Sequence, residues 1–502
     1  MENSLVIITF VTYFAIVLGI GVWSSRSQKS NTDFFVAGRQ MGTIVVAFSS
    51  CATIASGFFF VGLPGLAYNL GYQPMLSIPV LNAILAYVIV YSLLARPMRY
   101  LSEKHDALTI PDIFLTLYES KQIRWVCSII ILIGIMGFMV SQWVSMGIMF
   151  QTLLGSTYAV GLIVGVIIVG IYSALGGQKG NIYNDSFQMF VMSFGGILVL
   201  LFGFRGVGGF TEMNLALGEV NPAILLPFSD SFGLSKWTFI SFFLLYAVGT
   251  AGQPHFTTRF YTIRKESMLR WAPAIAATTY VFITMFVFTG MIYRAGVVQG
   301  VVPELTNPDL AVSEFLVHFM PAGSAGLILA AAVAAIMSTV STFIVVAAST
   351  VTRDIIEHGF DVKLSDKEGL KYSRISIVVV CLVTVLVAIN PPDLVAWLGN
   401  AAFGFFAAGL GPALVAGVRW RRANKHGALA SMIVGSAGAL TLYFLSINGV
   451  ISPNLDTGAI AFLFSIGVLI VVSLATEKQV RSALPGAKVQ EKVVAREKLS
   501  ET

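Results

Sequence analysis

Charge is scarce in this chain: Asp, Glu, Lys and Arg together make up 11% of its 502 residues, where a soluble domain carries roughly 25%. A conventional soluble fold is excluded on that ground. Histidine is equally thin. None of the five histidines, His105, His255, His318, His358 and His426, stands at metal-ligand spacing from another, and no acidic cluster between apolar runs could hold a divalent cation. The side chains that most enzymes rely on are therefore missing from the apolar part of the chain, so neither an enzyme nor a resident cofactor is expected. The three cysteines, Cys51, Cys127 and Cys381, fall in separate apolar runs and read as packed thiols that say nothing of redox compartment. Long polar connections are lacking too. The longest, 205–236 and 294–322, leave no room for a soluble domain, and "NPDLAVSEFLVHFM" in the second reads as a short amphipathic helix.

What the chain has instead is apolar sequence in blocks, with 56% hydrophobic residues and a mean hydropathy of +0.82. Thirteen runs approach the ~20 residues that cross hydrocarbon. They lie near 3–24, 41–66, 74–95, 125–154, 158–175, 186–204, 237–258, 272–293, 323–351, 373–390, 394–418, 427–446 and 457–475. "MENS" ahead of the first run lacks a basic stretch, so that run is expected to be a retained helix. The expected fold is thus an all-α integral membrane protein: one transmembrane domain over 1–476 and a charged tail, probed by "EKQVRSALPGAKVQEKVVAREKLSET", over 477–502. Alternating the thirteen runs places 28 Lys and Arg on one side and only Arg205, Lys236 and Arg294 on the other. Basic residues gather in cytoplasmic loops, which puts the N-terminus outside, the C-terminus in the cytoplasm and the chain in the plasma membrane. Topology accounts for the net charge of +6, and no nucleic-acid partner is needed.

Two runs carry the same irregularity. "SSCATIASGFFFVGLPG" in the second and "AVGTAGQPHFTTRF" in the seventh interrupt apolar helix with glycine, small polar residues and proline. Lipid cannot satisfy freed backbone groups, so such breaks persist only where they face protein, water or ligand. These two runs are five apart and antiparallel, as the first helices of two inverted five-helix repeats would be, and paired broken helices point to a transporter binding site. In the ninth run Ala335, Ser338, Thr339 and Thr342 follow i, i+3, i+4, i+7 spacing and share a face. They could offer oxygens to a hard cation, or the hydroxyls could simply bond back to their own helix. Asp185, in "YNDSFQ", is read as lying at the inner end of the sixth run. It is a cation candidate or a helix-start carboxylate held by free amides.

The segments "SGFFFVGLPG", "YNDSFQMF", "GQPHFTTRF", "AAIMSTVST" and "ANKHGALASMIVG" resemble the sodium:solute symporter family, the group of the proline, pantothenate and monocarboxylate permeases. The resemblance runs over nearly the whole chain. It implies a leucine-transporter-like core over about 41–418, an extra helix before it and two after. It also implies a sodium site made by Ala52, Ala55, Ala335, Ser338 and Thr339, with Asp185 at a possible second site. Solute positions implied are Gly57, Phe58, Phe138, Gln142, Tyr246, Thr250 and Pro254. An aspartate that the proline branch carries in the broken helix is Ile54 here, which argues against proline. With no basic residue deep in the core, a carboxylate would be held by helix amides, hydroxyls or the cation. The expected function is sodium-coupled symport of a small organic solute, a monocarboxylate, pantothenate-like acid or amino acid, by alternating access. A proton-coupled symporter of the same fold and a membrane solute sensor remain open alternatives.

Overall fold

The computed structural model describes residues 4–26, 30–155, 157–390, 395–451 and 455–476; the charged tail expected over 477–502 lies outside them. In chain order the principal helices are α1 (Ser4–Ser25), α2 (Thr43–Ile54), α3 (Phe58–Leu70), α4 (Tyr72–His105), α5 (Ile110–Tyr118), α6 (Lys121–Leu154) and α7 (Tyr158–Gly206). There follow α8 (Lys236–Val248), α9 (Ala272–Val298), α10 (Ala311–Phe319), α11 (Gly323–Glu357), α12 (Asp366–Ala388), α13 (Val395–Arg419), α14 (Lys425–Ile447) and α15 (Thr457–Ala475). Among the described residues, strand pairing is limited to one isolated bridge, between Met41 and Ile263.

Among the described residues ten helices are long and apolar enough to cross a bilayer, or eleven when α2 and α3 are taken as one span bent by 57°. The thirteen expected runs are not all matched by such helices. The run at 158–175 gives a shorter apolar stretch, Tyr158–Ile171, set off by a bend in α7 at Gly177, whose φ of 52° lies in the region that favours glycine. The run at 237–258 gives the 13-residue α8 and then breaks. The short helix expected in the outer connection is present as α10.

Both expected breaks are real and have local causes. Helix α2 stops because Ala55 turns extended at ψ 93°, and the Ser56 carbonyl then receives the Phe59 and Phe60 amides to start α3. After α8 a 3-10 turn covers Gly249–Gly252, Gln253 is extended at ψ 107°, and Pro254 opens a new helical turn, where its missing amide costs nothing. Close packing needs the small residues: a Cβ on Gly252 would lie 2.9 Å from the Gly411 amide of α13.

The centre of the bundle is α11. Every residue of its most apolar window is buried, against 28% for α1 and α12 at the periphery. A helix that is apolar all round belongs inside, and the alanine-rich "AAAVAAIMSTVST" lets α1, α2, α6 and α7 approach it closely. Helices α13, α14 and α15 pack as a second group, with α13 laid against α6 and the 3-10 turn after α8.

Candidate cation and solute site

Where α2 ends, its last carbonyls have no helical partners, and α11 presents its hydroxyl face to them. Ser338 Oγ lies 2.8 Å from the Ala52 oxygen and 2.9 Å from that of Ala335. Thr339 Oγ1 lies 3.0 Å from the Thr53 oxygen, 3.2 Å from Ala335 and 3.4 Å from Ala55. All five residues expected at the first cation site are thereby brought together, and the Thr53 carbonyl joins them. Both hydroxyls make the bond back to Ala335 that a merely structural role requires, and both also reach across to α2. Two hydroxyl protons serve five oxygen–oxygen contacts. Such an oxygen-rich, uncharged cluster fits a hard monovalent cation. No group of three or more His, Cys, Asp and Glu that could hold a metal occurs among the described residues.

Asp185 does not lie at a helix start. It lies about two turns beyond the bend of α7 at Gly177 and is fully buried, and its Oδ2 accepts from Arg259 Nη2 at 2.8 Å and from Ser49 Oγ at 2.6 Å. The expectation that no basic residue is buried in the core is overturned by Arg259, which has no exposure at all. The same Nη2 donates to Thr53 Oγ1 at 3.2 Å and to the Thr342 hydroxyl. Run length had assigned this arginine to the inner connection. The 3-10 turn Thr258–Tyr261 instead folds it inward, and the only hint in the sequence was its apolar and hydroxyl setting in "FTTRFYT". A guanidinium thus sits among Asp185, Thr53 and Thr342, beside the first oxygen cluster. Asp185 Oδ1 and Arg259 Nε and Nη1 have no hydrogen-bond partner.

The expected solute residues divide into two groups. The Gly57 amide donates to Gln142 Oε1 at 2.7 Å, and a Cβ on Gly57 would fall 2.3 Å from Ser145 Oγ. Phe58 stacks on Tyr246 with centroids 6.0 Å apart and planes within 2°. Tyr246 also packs on Phe403 at 4.4 Å and donates its hydroxyl to Asn400 Oδ1 at 2.7 Å. Thr250, in the 3-10 turn, donates back to the Tyr246 carbonyl of α8 at 2.6 Å. Phe138 joins a different ring cluster, 5.0 Å from Phe343 and 5.9 Å from His255, the neighbour of Pro254. Asn400, Phe403, Ser145 and Asp456 were missed in the sequence, because an isolated Asn or Ser in an apolar run and an Asp before a helix are each commonplace. Beyond Tyr246 a cleft of about 410 Å³ opens between α8, α13, α14 and α15, lined by Thr238, Phe242, Trp397, Asn400 and Asp456 among others.

A multi-pass helical bundle with two broken spans, one closing on a buried oxygen cluster, defines an ion-coupled secondary transporter. The chain belongs to the sodium:solute symporter family, whose sequence model matches residues 34–435. It is 30% identical to the sodium/pantothenate symporter of Escherichia coli (strain K12), over 91% of this chain and 95% of that one. It is also 30% identical to the osmoregulated proline transporter OpuE of Bacillus subtilis (strain 168), over 98% and 99%. Among solved structures it is similar to a substrate-bound, outward-open Na+-coupled sialic acid symporter, with a TM-score of 0.74 at 19% identity over 94% of this chain and 98% of the other. The nucleobase-cation-symport-1 family transporter Mhp1 gives 0.56 at 16% identity over 89% and 96%. These likenesses establish the fold, which is that of leucine-transporter-like carriers.

Proposed function

We propose that this protein couples the entry of one sodium ion to the uptake of a small organic solute across the plasma membrane, with its N-terminus outside. The sodium ligands in this reading are the carbonyls of Ala52, Ala55 and Ala335 and the hydroxyls of Ser338 and Thr339. The observation that carries it is the proton shortage of that cluster: two hydroxyl protons face the carbonyl oxygens of Ala52, Thr53, Ala55 and Ala335 across five contacts of 2.8 to 3.4 Å, which leaves oxygen lone pairs that a cation would satisfy. Because the ligands come from the end of α2 and from α11, an ion there joins the two helices and favours whichever state brings them together. Solute bound against Gly57, Phe58, Gln142 and Tyr246 touches the same broken helix, so both ligands stabilise one conformation and are thereby coupled.

One ion suits the electrostatics, since Asp185 already has a permanent cation in Arg259. A single sodium moving down ~100 mV contributes about 2.3 kcal/mol, and a tenfold gradient about 1.4. Together they support roughly 500-fold accumulation, ample for nutrient uptake. The named relatives make a pantothenate-like acid or an amino acid the first solutes to try, with a monocarboxylate added from the sequence resemblance. Proteoliposomes with an inward sodium gradient test the reading. Uptake should collapse without sodium, and Ser338→Ala with Thr339→Ala should weaken sodium affinity by about tenfold or more while the protein stays folded. Wild-type sodium affinity in that double variant would remove the cluster from the mechanism, and uptake driven by a pH gradient alone would make the coupling ion a proton.

A further inference from the structure

The hydroxyl of Tyr246 is the first link of a buried polar chain that ends outside the matched family region. Tyr246 Oη donates to Asn400 Oδ1, and Asn400 Nδ2 donates to Asp456 Oδ2 at 2.6 Å. Asp456 caps α15: its Oδ1 accepts from the Ala459 amide at 2.9 Å, and its own amide donates to Ser241 Oγ at 2.9 Å. The three residues are 2%, 6% and 9% exposed, so these bonds are largely shielded from bulk water. Asp456 and Asn400 also line the 410 Å³ cleft.

The direction of every bond in this chain follows from its far end. A carboxylate only accepts, so the Asn400 NH2 must face Asp456 and its carbonyl must face Tyr246. The Tyr246 proton is then committed to Asn400, and its oxygen has only lone pairs left to offer. Burial pushes the Asp456 carboxyl above its ordinary pKa, and bonds from Asn400, Ala459 and Gly458 offset part of that rise. Acceptors therefore dominate this end of the site. A solute carboxylate placed there would meet lone pairs and a like charge. A hydroxyl, amide N–H or ammonium would complete the network.

We infer that Asp456, acting through Asn400, makes Tyr246 a hydrogen-bond acceptor and so selects solutes that present a donor group to this end, leaving their carboxylate for the Gly57 and cation side. The inference rests on the assignment of Tyr246 to the solute site. Asp456 is here a positioning residue, supplied by the loop before α15, which lies beyond residues 34–435.

The test measures binding of matched pairs to the purified full-length protein: L-proline against its N,N-dimethyl betaine, which has no donor, and pantothenate against its N-methylated dideoxy analogue, which lacks both hydroxyls and the amide N–H. The donor-bearing member of the recognised pair should bind about tenfold or more tightly than its counterpart, the usual consequence of leaving a buried acceptor unpaired. Tyr246→Phe should bring the ratio to near one by weakening only the donor-bearing member. Asp456→Asn keeps a good helix cap but frees the Asn400 amide to turn, and should shrink the ratio in the same way without changing sodium affinity. Equal affinities for both members in the wild type would overturn the inference, as would a full ratio in folded Asp456→Asn. Failure of the symport reading looks different: the ratio would persist but binding would not depend on sodium.

Discussion

Single residues decide whether the break in α2 is a site or only a bend. Gly57 is the clearest case, because the space a side chain would fill is taken by Ser145 and Gln142 and its amide is already held by the Gln142 side chain. Gly57→Leu must displace Gln142 and crowd the freed backbone, so solute affinity is expected to fall by about tenfold or more, with sodium affinity changed much less. Titrating solute and sodium separately on the purified variant checks this. Unchanged solute binding would return Gly57 to a packing role. At this scale the sequence was informative where residue type alone carries the meaning. Gly57 inside an apolar run announces irregular backbone, and Ser338 and Thr339 announce a polar helix face. It was silent where meaning depends on a distant partner. Arg259 looks like a loop arginine until Asp185 is found beside it, and Asp456 looks like an ordinary cap until Asn400 is seen to lean on it.

Among the elements, apolar runs long enough to cross a bilayer were legible because lipid demands uninterrupted helix, and both breaks were legible because glycine and proline interrupt it. The amphipathic α5 was not foreseen. It is short, and its purpose appears only in what it joins. Thr109 and Asp112 form a capping box at its start, and the same Asp112 binds Arg124 of α6 at 2.7 Å and Arg353 of α11 at 2.8 Å. Arg124 also reaches Asp354 at 2.9 Å. This network ties α5, α6 and α11 together at the end that the Lys and Arg count places in the cytoplasm. Burial pushes the Asp112 carboxyl up, but Arg353 and Arg124 outweigh it and hold its pKa below the ordinary carboxylate value. The resulting stabilisation is present above the unfolded value of about 3.9 and is lost as pH falls through the lower folded value. The contribution of Asp112 to thermal stability should therefore be lost only in strong acid. Arg124→Leu leaves two buried carboxylates short of a partner and should destabilise by about 3–5 kcal/mol. An unchanged melting temperature in Arg124→Leu would show that the network is not what closes this end.

For the whole molecule the open quantity is how many ions accompany each solute, and Arg259 decides it. Its guanidinium already fills the space among Asp185, Thr53 and Thr342, so under the proposed one-ion coupling the wild-type Hill coefficient for sodium is expected near one. Two coupled ions would instead square the accumulation ratio, since each adds a similar driving force. Removing one partner leaves the other charge buried and alone: Asp185→Asn or Arg259→Leu should each cost about 3–5 kcal/mol of stability and most transport. The neutral pair Asp185→Asn with Arg259→Gln should recover stability and keep a Hill coefficient near one. Arg259→Gln alone is the sharper variant. It keeps the Asp185 carboxylate, Thr53 and Thr342 but empties the space between them, which sodium is then free to enter, and uptake should turn towards second order in sodium. A wild-type coefficient near two would reverse the assignment, because a sodium ion would then be binding in addition to the arginine, and the accumulation measured at a fixed gradient would exceed the one-ion limit of roughly 500-fold.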